Sequence, residues 1–290
     1  MANSIALSKV YTNLLDEVYQ QSSLTAVLES DATLSRQGAN ANEIVIPKLS
    51  MDGLGDYNRN SGYTNGDVDL TWETVQFNYE RGRMFQVDDM DNEETQNIAF
   101  GRLAGEFIRT KVVPELDAFR FSKYASATGV GLATGTLATG VDVINALRTA
   151  TSSMDEAEVP MEDRHLFITP TLLGLVEDLD TTKSKEVLSR FASITKVPQT
   201  RFYSAIELLD GKSVGEEKGG YKKAELGVEL NFEIIHKPAT LQFTKHAVPK
   251  IISPEMNQDA DAWKYGYRNY GLCDTYENKV AGIYVHKKGA

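Results

Sequence analysis

The stretch from Asn92 to Ser126 constrains this chain more than any other. Phe100, Ala104, Ile108, Val112, Leu116 and Phe119 recur every three or four positions, a spacing that makes one connected ridge on an α-helix. As a single helix the stretch would run about 52 Å at 1.5 Å per residue, longer than the ~30 Å span of a small domain. It must therefore project beyond any one core. Its i, i+4 row also advances by roughly 40° per step, so the two ends face different neighbours. Pro114 removes a backbone donor and clashes with the preceding turn, which predicts a bend between Thr110 and Pro114. The alternative is a pair of helices broken at Val113, since X-Pro often marks a boundary. Asp88, Asp89, Asp91, Glu93 and Glu94 stand at the start of the helix, where carboxylates complement its partial positive charge, with Asn92 or Asp91 as cap. The segment DDMDNEETQNIA lacks the glycine and glutamate that a calcium-binding EF-hand loop requires.

Upstream lies a long hairpin pattern. EIVIPKL, residues 43–49, sets Ile44 and Ile46 on one face of a strand, and Pro47 marks that strand as an edge. The return strand begins Val68, Leu70, Trp72 and resumes Val75, Phe77, Tyr79, a change of phase at Thr74 that predicts a β-bulge. Between the strands, SMDGLGDYNRNSGYTNGD holds four glycines and no apolar periodicity. Loops of this length inside compact domains are functional or disordered, and a two-stranded ribbon has too little core to stand alone. The ribbon is therefore expected to fold against something from outside, a second copy or a ligand. Residues 5–28 carry Ile5, Leu7, Val10, Leu14, Val18, Leu24 and Leu28 at loose helical spacing, which suits an arm lying on another surface.

Downstream, TGVGLATGTLATG (128–140) reads as a linker. It contains GxGxxxG but follows a helix, so the dinucleotide fingerprint fails on context. A helix over 141–154, a strand RHLFIT and a helix capped by Thr169 and Pro170 come next. Strands are expected at 230–236 and 240–244 with KPA as the turn, and a flexible exposed segment at 211–223. The GKS at 211–213 lacks the glycine five residues earlier that a phosphate loop needs. Trp263, Tyr265 and Tyr267 alternate as on one strand face, with Tyr270, Tyr276 and Tyr284 nearby, and Ile283 and Val285 suggest a last strand.

Thirty basic residues against 41 acidic ones leave a formal charge of −11, which argues against binding nucleic acid by neutralising phosphates. The lone Cys273 cannot form an internal disulfide. No apolar run is long enough for a membrane span, and the first residues lack the features of a signal peptide, so the chain is expected to stay where it is made. His165, His236, His246 and His286 have no second ligand at metal spacing, and no GxSxG occurs. The residues name no catalytic site, cofactor or metal.

IVIPKLSMDGLGDY, TWETVQFNYERGRMFQVDDMD, VVPELDAFRFSKYA and YENKVAGIYVHK, in this order and spacing, resemble the major capsid proteins of tailed bacteriophages over nearly the whole chain. The resemblance implies an α+β Hong Kong 97-like fold: an N-terminal arm (1–42), an extended β-hairpin loop (43–90), a peripheral domain with a spine helix (91–130 and 255–278), and an axial α/β domain (131–254 and 279–290). It further implies a non-enzymatic virion protein, assembled in the host cytoplasm from pentamers and hexamers into an icosahedral shell. Such a shell encloses double-stranded DNA without sequence-specific binding. Implied partners are many copies of the same chain, with a separate scaffolding protein, a portal and a decoration protein as further ones, and with no cofactor and no membrane. Because the arm starts almost at residue 1, scaffolding is expected to be separate, already removed or unnecessary. Asp56, Tyr57 and Arg59 at the ribbon tip, with Arg81 and Arg83 at its base, are the expected intersubunit contacts. Glu115 and Asp117 are expected partners for basic groups. An encapsulin-type nanocompartment shell is the nearest alternative. A glycan-binding virion protein using the C-terminal aromatics, and an enzyme using unassigned carboxylates, are the alternatives from other classes.

Overall fold

A computed structural model describes residues 23–30, 36–37, 42–95, 98–179 and 182–289. Most of the expected arm lies outside these residues.

The ridge pattern produces a helix in sections. Helix α1 (Asp89–Glu94) is capped by Asp88, whose carboxylate accepts from the Met90 N–H at 3.1 Å, so the cap is neither Asp91 nor Asn92. Helix α2 (Ile98–Phe107) runs into a π-helical segment, Ile108–Val112, and then helix α3 (Val113–Ser126) without a break. The π segment is how the chain accommodates Pro114. In an α-helix Pro114 would owe a hydrogen bond to Thr110 and crowd its carbonyl, whereas here the Val113 N–H reaches back five residues to the Ile108 carbonyl. A widened turn takes up Pro114, and no break occurs at Val113.

Helix α3 is buried on most sides. Phe119, Phe121, Tyr124 and Ala125 pack on one face of a five-stranded sheet. This sheet has the order β5 (Gly131–Gly135), β13 (Ile283–Lys288), β10 (Leu230–His236), β6 (Arg164–Ile168) and β7 (Ser193–Lys196). Period-2 alternation decides which residues go where. Ile235 faces α3, while Phe232 and Ile234 face helices on the opposite side. Those helices are α4 (Gly140–Glu156), α5 (Pro170–Glu177) and α6 (Thr182–Leu188). The reciprocal Thr139 and Asp142 hydrogen bonds of a capping box start α4.

The glycine-rich stretch after α3 is no linker. Residues 131–135 form edge strand β5, parallel to β13. Gly131 has to be glycine, because a Cβ there would sit 2.5 Å from Cδ2 of Tyr284. The KPA segment likewise joins two sheets and makes no hairpin. Strand β11 (Thr240–Ile252) leaves the first sheet and pairs with β12 (Ala262–Thr275), which pairs in turn with β4 (Tyr79–Asp88). The aromatics of β12 serve this packing. Tyr265 is fully buried, Tyr265 and Tyr267 meet the Phe107 ring edge-on, and Trp263 Nε1 donates to Asp89 at 2.8 Å.

Candidate functional site

The ribbon consists of β2 (Glu43–Met51) and β3 (Val68–Gln76), paired in continuous register from Glu43 with Gln76 to Met51 with Val68. The bulge expected at Thr74 is absent. The change of phase instead marks a switch of face, since Val75 stands opposite Ile44 whereas Trp72, Leu70 and Val68 stand opposite Pro47, Leu49 and Met51, and the chain then leaves the ribbon for β4 at Phe77 and Asn78. There the Asn78 amide imitates a strand pair, donating to the Cys273 carbonyl at 2.7 Å and accepting from its N–H at 3.1 Å. Among the described residues the short β1 (Arg36–Gln37) pairs with Ile44 and Val45, and Pro47 lies outside that pairing.

Burial divides the ribbon. At its base Ile44 and Ile46 are buried against Leu241, Phe243 and Leu272, and Lys48 pairs with Glu277 at 2.9 Å. Beyond Pro47 the apolar side chains emerge: Leu49, Met51, Leu54, Val68, Leu70 and Trp72 are all exposed, Trp72 to 47 %. Exposed apolar area on this scale marks an interaction surface. The tip keeps a shape of its own. The Asp52 carboxylate accepts from the Asp67 N–H at 2.9 Å, Asn58 and Gly62 exchange backbone hydrogen bonds, and Gly62 supplies the left-handed turn at φ +82°. Tyr57 and Tyr63 meet edge to face at 4.9 Å. Asp56, Tyr57 and Arg59 thus share one preorganised, exposed tip.

Arg81 and Arg83 stand apart from the tip. They lie on β4, and both are occupied within the chain. Arg81 Nε donates to Glu115 at 2.7 Å, and its Nη2 donates to the carbonyls of Leu209 and Gly220. Arg83 donates to the carbonyls of Glu217 and Lys218 at 2.9 and 3.0 Å. Together they clamp the hairpin of β8 (Ile206–Leu209) and β9 (Gly220–Lys223) to β4. The intervening loop, expected to be flexible, is internally bonded. Asp210 accepts from the Ser213 hydroxyl and from the Lys212 and Ser213 N–H groups, bonds that hold its carboxyl down to about 2.

The sequence pointed to Glu115 and Asp117 as acids in search of partners but could not name them. Glu115 takes Arg81, and Asp117 takes Arg201 at 3.2 Å. Asp117 is fully buried and also accepts from Ser23, Leu24 and Thr25. Elsewhere, His165 Nδ1 lies 2.7 Å from the Ser193 hydroxyl, and burial lowers the pKa of the imidazole. Burial pushes the Cys273 thiol up to about 12. Among the described residues no helix is long and apolar enough to cross a membrane.

No family model matches the chain, and neither does any curated protein sequence. Solved structures do match its fold. A Mycobacterium phage Che8 structure aligns at TM-score 0.62 and 14 % identity, covering 98 % of both chains. The mature capsid of bacteriophage PhiM1 aligns at 0.65 and 11 % identity, covering 98 % of this chain and 92 % of that one. A virus-like particle from Pyrococcus furiosus aligns at 0.51 and 11 % identity, covering 82 % and 86 %. The chain is thus a mixed helix and sheet protein with the fold of phage capsid proteins, as its resemblance implied.

Proposed function

We propose that this chain is a major capsid protein, a structural subunit that assembles through pentamers and hexamers into the icosahedral shell of a tailed phage and encloses double-stranded DNA. The observation that carries the reading is the ribbon beyond Pro47, where Leu49, Met51, Leu54, Val68 and Leu70 are exposed among the described residues. A neighbouring copy is the cover that a repeating lattice supplies at no further cost in protein. The fold shared with phage capsid structures at full chain coverage supports the same reading.

In this reading the sheet of β4, β11 and β12 with the long helix forms the peripheral part, the five-stranded sheet with α4 to α6 forms the axial part, and the long helix acts as the spine. Asp56, Tyr57 and Arg59 are the intersubunit contacts at the ribbon tip. Arg81 and Arg83 act inside the subunit. An acidic chain at −11 does not cling to the DNA it encloses. The protein resides in the virion after assembly in the host cytoplasm, without catalysis of its own, with portal, decoration and separate scaffolding proteins as partners.

Deleting residues 52–66 tests the role. The variant is expected to stay folded and soluble while negative-stain images show no shells, and normal shells from it would overturn the reading. The likeness to the Pyrococcus furiosus virus-like particle favours a second reading, an encapsulin-type nanocompartment that holds protein in place of a genome. The absorbance ratio of purified shells distinguishes the two contents.

A further inference from the structure

Between β4, the α2 and π helical turns and the clamped β8–β9 hairpin lies a cleft of about 1280 Å³. Seven guanidinium or ammonium groups line it against three carboxylates, in a chain whose overall charge is −11. Some of these cations are occupied: Arg81 by Glu115, Arg109 by Glu106, and Arg201 by Asp117. Arg102, Lys111 and Lys218 line the same cleft and make no ion pair among the described residues. The rim is built, not incidental. Arg83 holds the carbonyls of residues 217 and 218, and a Cβ on Gly219, at φ +63°, would come within 3.0 Å of its guanidinium. Phe85, Phe107 and Tyr267 add aromatic wall. A concave site with an excess of one sign and low-dielectric walls concentrates its field on whatever enters.

We propose that this cleft is a binding site for a short carboxylate-rich peptide segment supplied by a different protein. Size and sign select the ligand class. A nucleic acid would extend past the cleft onto a surface that repels it, whereas a short acidic segment ends where the positive potential does. The chain's own ribbon is the poorer occupant. Its aspartates at 52, 56, 67 and 69 are spread over the loop, interrupted by Arg59, and Asp52 is already engaged by the Asp67 N–H. The inference is independent of shell assembly, because the cleft belongs to a single chain.

The test uses the full-length protein and fluorescently labelled hexaglutamate in low salt, read by anisotropy. Hexaglutamate should bind, binding should weaken as salt rises, and the Arg102→Glu, Lys111→Glu double variant should bind at least tenfold more weakly. The Arg102→Gln, Lys111→Gln variant should fall between the two, and thermal melts check that both variants remain folded. Absence of hexaglutamate binding, or binding unchanged by the double charge reversal, overturns the proposal. So does tighter binding of a peptide with the sequence of residues 50–69, which makes the occupant a second copy, or of a twelve-nucleotide oligothymidylate, which makes it nucleic acid. Shell formation by the wild-type protein is scored separately, so its failure does not bear on the cleft.

Discussion

The Thr25 hydroxyl donates to Asp117 Oδ1 at 2.8 Å, tying a segment before the ribbon to the middle of the long helix. The same carboxylate accepts from the Leu24 N–H at 3.1 Å and from Arg201 at 3.2 Å. One acidic side chain on α3 thus fixes two distant loops. Breaking a buried ion pair by removing one charge costs about 3–5 kcal/mol, because the remaining charge is stranded. Asp117→Asn is expected to lose stability of that order in urea unfolding. Proteolysis near residues 23–30 should speed up at the same time. Unchanged midpoints would mean that Arg201 finds other partners.

The exposed half of the ribbon gives the opposite pattern. Leu54 and Leu70 touch solvent within the single chain, so Leu54→Glu with Leu70→Glu should change subunit stability by no more than about 0.5 kcal/mol. Shell yield by sucrose gradient should nevertheless collapse. Shells in normal yield would assign the apolar ribbon no part in assembly.

Gly131 is a packing requirement. Its absent Cβ would lie 2.5 Å from the Tyr284 ring, so Gly131→Ala must displace either β5 or Tyr284. Overpacking of this kind costs about 1–3 kcal/mol. Hydrogen exchange should locate the loss in strands 131–135 and 283–288, and Tyr284→Leu in the same chain should recover part of it.

Stability should depend on pH in two opposed ways. Burial is the leading cause that holds His165, His236 and His286 below the ordinary imidazole value of 6.5. The folded chain then binds fewer protons than the unfolded one in that window, so their contribution is lost as pH falls below about 6.5. Glu233 behaves in reverse. Among the described residues neither of its carboxyl oxygens has a hydrogen-bond partner, and burial raises its pKa well above 4.5. The folded chain binds the extra proton, so this contribution is lost as pH rises past 4.5. Glu233→Gln should therefore gain on the wild type progressively from pH 5 to pH 8 in urea titrations. A difference independent of pH would rule out the neutral carboxyl.

Much of this architecture could be read from periodicity. The long helix, α4 and the alternating aromatics of β12 declare themselves through spacing, whereas β6 and β10, buried on both faces, read as short apolar-rich runs. The failures share a cause, namely that they depend on what lies across the fold. The glycines of 131–135 read as a linker until Tyr284 is placed against them. The phase change at Thr74 looked like a bulge because sequence does not show that the apolar side chains switch faces along an unbroken ribbon. The partners that Arg81 and Arg83 find within the chain, Glu115 and the carbonyls of residues 209–220, could not be named because they lie far away in sequence. The ribbon tip was legible by composition alone. The cleft was not, since its cations come from four separate stretches of chain.

Strand β13 lies between β5 and β10, pairing with residues 131–135 on one side and 230–235 on the other. Until residues 283–288 leave the ribosome, the sheet beneath α3 has a gap in its middle, and non-local pairing of this kind is slow to form. Strand β5 therefore joins this sheet only through a partner that comes last among the described strands.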